Sequence, residues 1–510
     1  MKHLKDQHVL ILGLGISGLA MARWCVDGGA QVTVADTRPA PPQLAVLQRE
    51  LASAKFVSGV FDARLLEGQR IDAVYRSPGL SPADIAIVSE AAKATGISVS
   101  GELSLFSRAL DELREQRCYQ PRVVAVTGTN GKTTVTSLTA VLLAACGITV
   151  AAAGNIGPSL LETLAQRLRA GTLPEVWVLE LSSFQLHEER SLEPEVSAVL
   201  NITQDHLDWH ASMDEYVAAK ANIFGRRAVP VLNRDDARVM AMLPEVAPRP
   251  AKAGKVAPAL VREHITFGAG VPRRHGDFGI DDAGAVAWLV RALPRDPTLR
   301  KRQLHDEPIH IQRLLPVDAL AIRGRHNATN ALAALALALG AGGVLAPMLY
   351  ALRDYRGEPH RMQSVGRLGE VEFFDDSKGT NVGATVAALD GLGAQRRIVV
   401  ILGGQGKGQD FTALAQALRR HARAVVLIGQ DAMTIRRAVG ELGVPVLDAS
   451  TMNAAVRLAC EQAQAGDAVL MSPACASFDM FDNYEHRARA FCEAVRELVS
   501  AGTGELEAAP

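Results

Sequence analysis

Short apolar runs alternate with helical patterns along this chain, and most of the runs end in small or polar residues. The first run, Val9, Leu10, Ile11 and Leu12, stops at Gly13 and leads through a turn into a helix. Further runs stand at residues 31–36, 73–76, 123–126, 176–180, 196–201, 371–375, 397–402, 424–428 and 468–471. Strands of this length separated by helices predict an α/β fold. Its sheets are mostly parallel, with helices on both faces, because parallel neighbours need a crossover. No run approaches the ~20 apolar residues of a membrane span. The longest candidate, residues 331–339, reads as a packed Ala-rich helix. The N-terminal run is broken by Gly13, Gly15 and Gly18, so it reads as a strand and turn, not a signal peptide.

The pattern divides into three blocks. A polar stretch at 111–120 reads as a helix end and linker, and Gly357 and Pro359 mark a second linker where a hinge is expected, at residues 356–361. With 510 residues the chain exceeds one core, and length alone suggests about three domains. Residues 257–316, rich in Pro, Arg, His and Gly, read as weak strands in a surface insertion, and the tail 502–510 is expected to fray.

Composition adds exclusions. A net charge of −1 without a long basic block argues against nucleic acid as a partner. Six cysteines without a C-x-x-C pair argue against a disulfide framework or a zinc site, and read as core residues in a reducing cytoplasm.

The strongest chemical signal is Gly128, Thr129, Asn130, Gly131, Lys132, Thr133 and Thr134, between the run at 123–126 and a helical pattern. A strand, a Gly-rich turn and Lys-Thr at a helix start hold a nucleotide triphosphate: backbone N–H groups and the helix N-terminus face the phosphates, the lysine reaches the outer ones, and the hydroxyl can bind Mg²⁺. The usual first glycine is replaced by Val126, with Gly128 taking over, so the loop is a variant.

Gly13, Gly15 and Gly18 form G-x-G-x-x-G after a strand, and Asp36 ends the next strand where a ribose-binding acid belongs. A dinucleotide and any other pyrophosphate ligand fit this turn, and Asp36, Thr37 and Arg38 suit a nucleoside. Glu180 ends a later strand, where a carboxylate faces bound phosphates and can hold Mg²⁺. His206 lies among polar residues at the next strand end. Lys220 has small and apolar neighbours; spacing alone favours a surface lysine, while burial would free its amine for chemistry. Asn327, Thr329 and Asn330 open the Ala-rich helix, as caps or as amides for a base. Three small-residue strand ends, at 375–381, 403–408 and 472–478, suggest a small anionic ligand in the third block.

These residues together resemble the Mur ligase family over nearly the whole chain, and within it the branch that adds D-glutamate. The phosphate loop and the run from His326 to Asn330 are also shared with folylpolyglutamate synthases. The D-glutamate branch rests on the Gly13 to Gly18 turn with Asp36, Thr37 and Arg38, and on Ser472 to Arg487. Two departures are the extra length at 257–316 and Ala488, where the family commonly has Gly.

The resemblance implies an N-terminal Rossmann-like UDP-binding domain (1–114), a central P-loop-type ATPase domain (115–357) and a C-terminal Rossmann-like amino-acid-binding domain (358–510). It implies an ATP-dependent ligase that joins D-glutamate to UDP-N-acetylmuramoyl-L-alanine in peptidoglycan precursor synthesis, a cytoplasmic monomer without nucleic-acid or membrane partners. Lys132, Glu180, His206 and Lys220 are its expected catalytic residues. Thr133 and Glu180 would bind one Mg²⁺; His206 and Lys220, carbamylated by CO₂, would bind a second. Gly128 to Thr134, Asn330, Arg361 and Asp376 match ATP positions. Ile16, Ser17, Asp36, Thr37, Arg38, Ser77, Gly79 and Asn155 match UDP-substrate positions. Lys378, Thr380, Lys407, Ser477 and Tyr484 match those that place D-glutamate.

Overall fold

Strict alternation along the strands sets the architecture. In the first, Val9 and Ile11 face one core while Leu10 and Leu12 face another. In Arg122–Thr127, Val123 and Ala125 oppose Val124 and Val126 in the same way. Strands buried on both faces must be covered by helices on both sides, as predicted. The computed structural model describes all residues except 1–2, 69, 188, 190, 244, 247–259, 297, 299–306, 395 and 502–510. The tail and part of the 257–316 stretch lie outside the described residues.

The N-terminal sheet is wholly parallel, in the order Lys55–Ser58, Gln31–Asp36, His8–Leu12, Ala73–Arg76, Val99–Gly101. The central sheet is also parallel: Ile265–Phe267, Val229–Asn233, Val196–Val199, Arg122–Thr127, Val176–Glu180, Val150–Gly154. The third runs Gln363–Leu368, Val371–Asp375, Ala468–Met471, Ile398–Gly403, Ala422–Ile428, Val446–Asp448, with its first pair antiparallel. One apolar cluster runs continuously from the N-terminal block (Ile11, Trp24, Phe106) into the central one (Leu161, Trp177, Phe224).

Two expectations change. The described part of residues 257–316 is not confined to the surface. Ile265–Phe267 is an edge strand of the central sheet, and Phe278–Asp281, Trp288–Pro294 and Ile309–Pro316 form an antiparallel sheet. Phe267, Phe278, Ile280 and Leu289 point inward and share a core with the Ala-rich helix Arg325–Gly340, while Thr266, Gly279 and Asp281 beside them conceal part of that pattern in the sequence. The cysteines are all free, but only Cys25, Cys475 and Cys492 are buried; Cys118 is exposed at a helix C-cap. The polar stretch at 111–120 is, as read from the sequence, the end of the helix Glu102–Arg117 and the link to the strand that starts at Arg122.

Candidate active site

Two glycines shape the phosphate loop. Gly128 has φ +152°, and a Cβ there would lie 2.9 Å from Leu200 Cβ; Gly131 has φ +83°, and its Cβ would lie 2.8 Å from Asn330 Oδ1. The loop is fastened to the end of strand Val196–Val199. Thr129 N–H donates to Asn201 O (2.9 Å), Asn130 N–H to Asn201 Oδ1 (2.8 Å), and Asn201 Nδ2 to Asn130 O (3.0 Å). Lys132 opens the helix Lys132–Ala145 and donates from Nζ to the Gly128 and Thr129 carbonyls, both at 2.9 Å. Its pKa is lowered by burial, opposed by the charges of Glu180 and Asp205.

Glu180 is 1% exposed. Its Oε1 accepts from Asn155 Nδ2 at 2.7 Å, whereas Oε2 is buried without a hydrogen-bond partner. Lys220 corrects the reading from spacing: it is 1% exposed, not a surface lysine. Its helix, Met213–Ala221, turns it inward, where Nζ donates to Gly128 O (2.9 Å) and Thr127 Oγ1 (3.3 Å) and lies 4.7 Å from the centre of the Tyr216 ring. Burial and the nearby Lys132 charge push its pKa well below the ordinary lysine value. His206, at φ 55°, sits with Nε2 3.6 Å from Asp205 Oδ2 and its ring edge-on to Phe184 at 4.7 Å. Burial lowers its pKa.

The third block closes over this floor. Arg361 Nη2 donates to Thr133 Oγ1 at 2.6 Å. Asn381 Nδ2 donates to Asn130 Oδ1 (3.1 Å) and Asp205 Oδ2 (3.0 Å). Lys378 Nζ lies 3.8 Å from the Tyr484 ring centre, and burial followed by Arg361 lowers its pKa to about 8. Between the blocks is a cavity of ≈ 470 Å³. Of the predicted residues, Thr129, Asn130, Gly131, Lys132, Thr133, Asn155, Glu180, His206, Lys220, Arg361, Lys378, Thr380 and Tyr484 line it.

An adjoining cavity of ≈ 230 Å³ gathers Thr134, Asn330 and Asp376, with Phe267, His326 and Met362 as unforeseen walls. Asp376 accepts from Ser472 Oγ at 2.7 Å and Met362 N–H at 3.3 Å, and burial raises its pKa to about 7. Asn327 and Thr329 do not cap the helix: it starts at Arg325, and they donate back to the carbonyls of Arg323 and His326.

Lys407 joins Thr380, Asp205 and His206 around a third hollow of ≈ 130 Å³. Ser477, 3% exposed, lines none of these three cavities. Arg487 ties the third block's loops together, donating to Cys475 O (3.0 Å) and Ser377 O (2.8 Å), and its neighbour Ala488 is fully buried.

The UDP-matching residues collect elsewhere, at the carboxyl ends of the N-terminal strands; only Asn155 reaches the large cavity. Ile16, Thr37, Arg38 and Gly79 are exposed and Ser17 is partly buried, while Ser77 Oγ donates to Gly13 O at 2.8 Å. Asp36 is already engaged within the chain: it accepts from Leu14 N–H (2.7 Å) and from the Arg38 guanidinium (2.8 Å). Against its burial, these bonds lower its pKa to about 2. It therefore fixes the glycine turn and aims Arg38. Asp205, Tyr216 and Asn381 were missed as site residues. The signals were present: Tyr216 lies one helical turn before Lys220, and Asn381 ends a polar loop and caps Val382–Gly393.

Three stretches of the chain match known family models. Residues 7–101 match the model of the Mur ligase MurD-like N-terminal domain, 126–267 the Mur ligase middle domain, and 360–475 the Mur ligase glutamate ligase domain. A UDP-N-acetylmuramoylalanine--D-glutamate ligase of Albidiferax ferrireducens is 63% identical over 509 residues, covering 100% of both chains. The chain belongs to the Mur ligase family. The enzyme of the same name from Burkholderia vietnamiensis is 53% identical, with 96% of this chain and 97% of that one covered. Among solved Mur ligases, MurF of Thermotoga maritima in complex with ADP has the same fold, with TM-score 0.58 at 15% identity, covering 98% of this chain and 96% of that one. The Mur ligase middle-domain match spans the phosphate loop, Glu180, His206 and Lys220, and the glutamate ligase match spans Arg361, Asp376, Lys378, Thr380 and Lys407.

Proposed function

We propose that the cleft joins D-glutamate to UDP-N-acetylmuramoyl-L-alanine at the expense of ATP, in peptidoglycan precursor synthesis. The observation that carries this reading is convergence: the phosphate loop, Glu180 and Lys220 from the central block meet Arg361, Lys378 and Tyr484 from the third around one cavity. The triphosphate lies along the loop with Lys132 on its outer phosphates, and adenosine enters the adjoining cavity beside Asn330, Phe267 and Asp376. The L-alanine carboxylate attacks the γ-phosphorus and ADP leaves. The D-glutamate amine then attacks the acyl carbon, phosphate departs, and an amide remains. Positioning and charge neutralisation supply most of the acceleration in such transfers.

The residues fit Mg²⁺. The unpartnered buried Glu180 Oε2 and the Thr133 hydroxyl are hard oxygen donors at the phosphate loop. They would hold one ion, and His206 with carbamylated Lys220 a second. Bound there, divalent ions neutralise charge on the transferring phosphoryl oxygens. Lys378, Thr380 and Tyr484 would seat D-glutamate, with Lys407 and Ser477 bordering them. Ile16, Ser17, Thr37, Arg38, Ser77 and Gly79 would hold the UDP group on the turn that Asp36 braces, and Asn155 the muramoyl part.

The domains are read as 1–114, 115–357 and 358–510. Among the described residues no helix is long and apolar enough to cross a membrane. We place the enzyme in the cytoplasm, where ATP and UDP-sugars are held, and read it as a monomer because one chain supplies all three subsites. Phosphate release from ATP with the UDP-substrate tests the function. D-Glutamate is expected to support release roughly 100-fold better than L-glutamate, since a site built around polar contacts discriminates strongly. Equal rates with both would overturn the amino-acid assignment.

A further inference from the structure

Beside the nucleotide cleft, two imidazoles and a carboxylate face one another. His187 follows the short helix Ser183–Leu186, His210 precedes the cap of Met213–Ala221, and Glu215 is in that helix's first turn. One ligating atom from each lies within 4.8 Å of the others. His187 Nδ1 is 3.7 Å and His210 Nδ1 3.8 Å from Glu215 Oε1. These distances are too long for hydrogen bonds. They are close to the ~3.4 Å that separates ligands around a tetrahedral ion with bonds of ~2.0–2.1 Å.

We propose that His187, His210 and Glu215 bind a divalent first-row transition ion, Zn²⁺ foremost, with water as its fourth ligand. His210 provides an independent sign of a missing partner: it is 1% exposed, and its Nδ1 is buried without a hydrogen bond. Its Nε2 is 2.9 Å from Ser183 Oγ, so a proton on Nε2 donated to that hydroxyl leaves the Nδ1 lone pair facing the cluster. Metal-bound histidines are commonly oriented by such a second partner. Glu215 is held likewise: Oε2 accepts from Ala211 N–H at 2.9 Å, and its own N–H donates to Ser212 Oγ at 3.1 Å, leaving Oε1 towards the histidines.

Two nitrogens and one carboxylate oxygen suit Zn²⁺ better than Mg²⁺, which prefers oxygen throughout. The His187 and Glu215 side chains are 13% and 30% exposed, which leaves a path for the ion and a water. Once bound, the ion would staple the start of the Lys220 helix to the segment carrying Ser183 and Phe184. The site is thus distinct from the expected Mg²⁺ ligands and adjacent to them.

The test uses the full-length protein, stripped with a chelator and kept in saturating Mg²⁺. Zn²⁺ is titrated against a chromophoric chelator. The wild type is expected to take up one equivalent, and to melt at a higher temperature with it. His187→Gln and Glu215→Gln, both at partly exposed positions, should each bind at least ~100-fold more weakly, a larger loss than for removal of a second-sphere group. Their melting without Zn²⁺ should match the wild type, which shows that the fold survives. His206→Ala should keep the equivalent. The proposal is overturned if the wild type binds no Zn²⁺, if either Gln variant binds it normally, or if His206→Ala abolishes it.

Discussion

Burial strips Lys220 of water while Lys132 stands nearby with the same charge, and both favour a neutral amine. A neutral amine reacts with CO₂, and the resulting carbamate is the anionic oxygen donor that Mg²⁺ prefers. Lys220→Ala is expected to lose nearly all activity, and short-chain carboxylates that fill the gap should restore part of it. Chloride at equal ionic strength should not. A Lys220→Ala enzyme with near-normal turnover would remove the carbamate from the account. Asp376 gives a second residue-scale expectation. Its pKa rises from the ordinary 3.8 to about 7 through burial, so within that window the folded chain keeps a proton that the unfolded chain has released. Stability attributable to this group therefore falls as pH rises through the window, and is level above it. Asp376→Asn removes that slope. Urea unfolding should find the variant gaining on the wild type between about pH 5 and about pH 8, whereas an equal difference at both would contradict the shift. Lys220 also shows what the sequence conceals. Its small neighbours look alike on a buried and an exposed helix face, and only the packing of that helix under the phosphate loop settles which face it takes.

At the scale of elements, the phosphate loop depends on glycines for two separable reasons. Gly131 lies at φ +83° and also against Asn330 Oδ1; Gly147, at φ +78°, has nothing within 4 Å of its added Cβ. Either changed to Ala costs about 1–2 kcal/mol of backbone strain. Only Gly131→Ala should also raise the KM for ATP, by roughly tenfold for about 1.4 kcal/mol of displaced contact. Steady-state kinetics on the two variants separates the effects, and an equal rise in both would deny the contact a role. Strands and their ligand-bearing ends were legible because each run stops at turn-forming residues. The sheet within residues 278–316 was not. Phe278 and Ile280 are flanked by Asp277, Gly279 and Asp281, and the strand Ile309–Pro316 carries His310, Gln312 and Arg313, so these runs read alone as weak strands at a surface. Asn381 escaped notice because its partners, Asn130 and Asp205, stand far off in sequence and meet it only where two blocks touch.

Across the whole molecule, the central and third sheets bring their ligand-bearing ends to one cavity, while the carboxyl ends of the N-terminal strands gather the UDP-matching residues elsewhere. The N-terminal and central blocks are joined by a continuous apolar cluster, whereas the central and third blocks meet across the cavity through Arg361 to Thr133 and through Asn381. The chain enters the third block through Gly357, at φ +91°, and His360, at φ 63°, which is where the sequence placed a hinge. With UDP-sugar, ATP and D-glutamate expected on different blocks, the reacting atoms meet only where the blocks converge, and the account's central claim is that an acyl phosphate forms there. Labelling both carboxylate oxygens of UDP-N-acetylmuramoyl-L-alanine with ¹⁸O tests this most directly. The enzyme is supplied with ATP and D-glutamate, and the phosphate released is analysed by mass spectrometry. The account predicts one labelled oxygen in each phosphate and one in each new amide, because the oxygen that attacks phosphorus leaves with it. Unlabelled phosphate accompanying amide formation would contradict it.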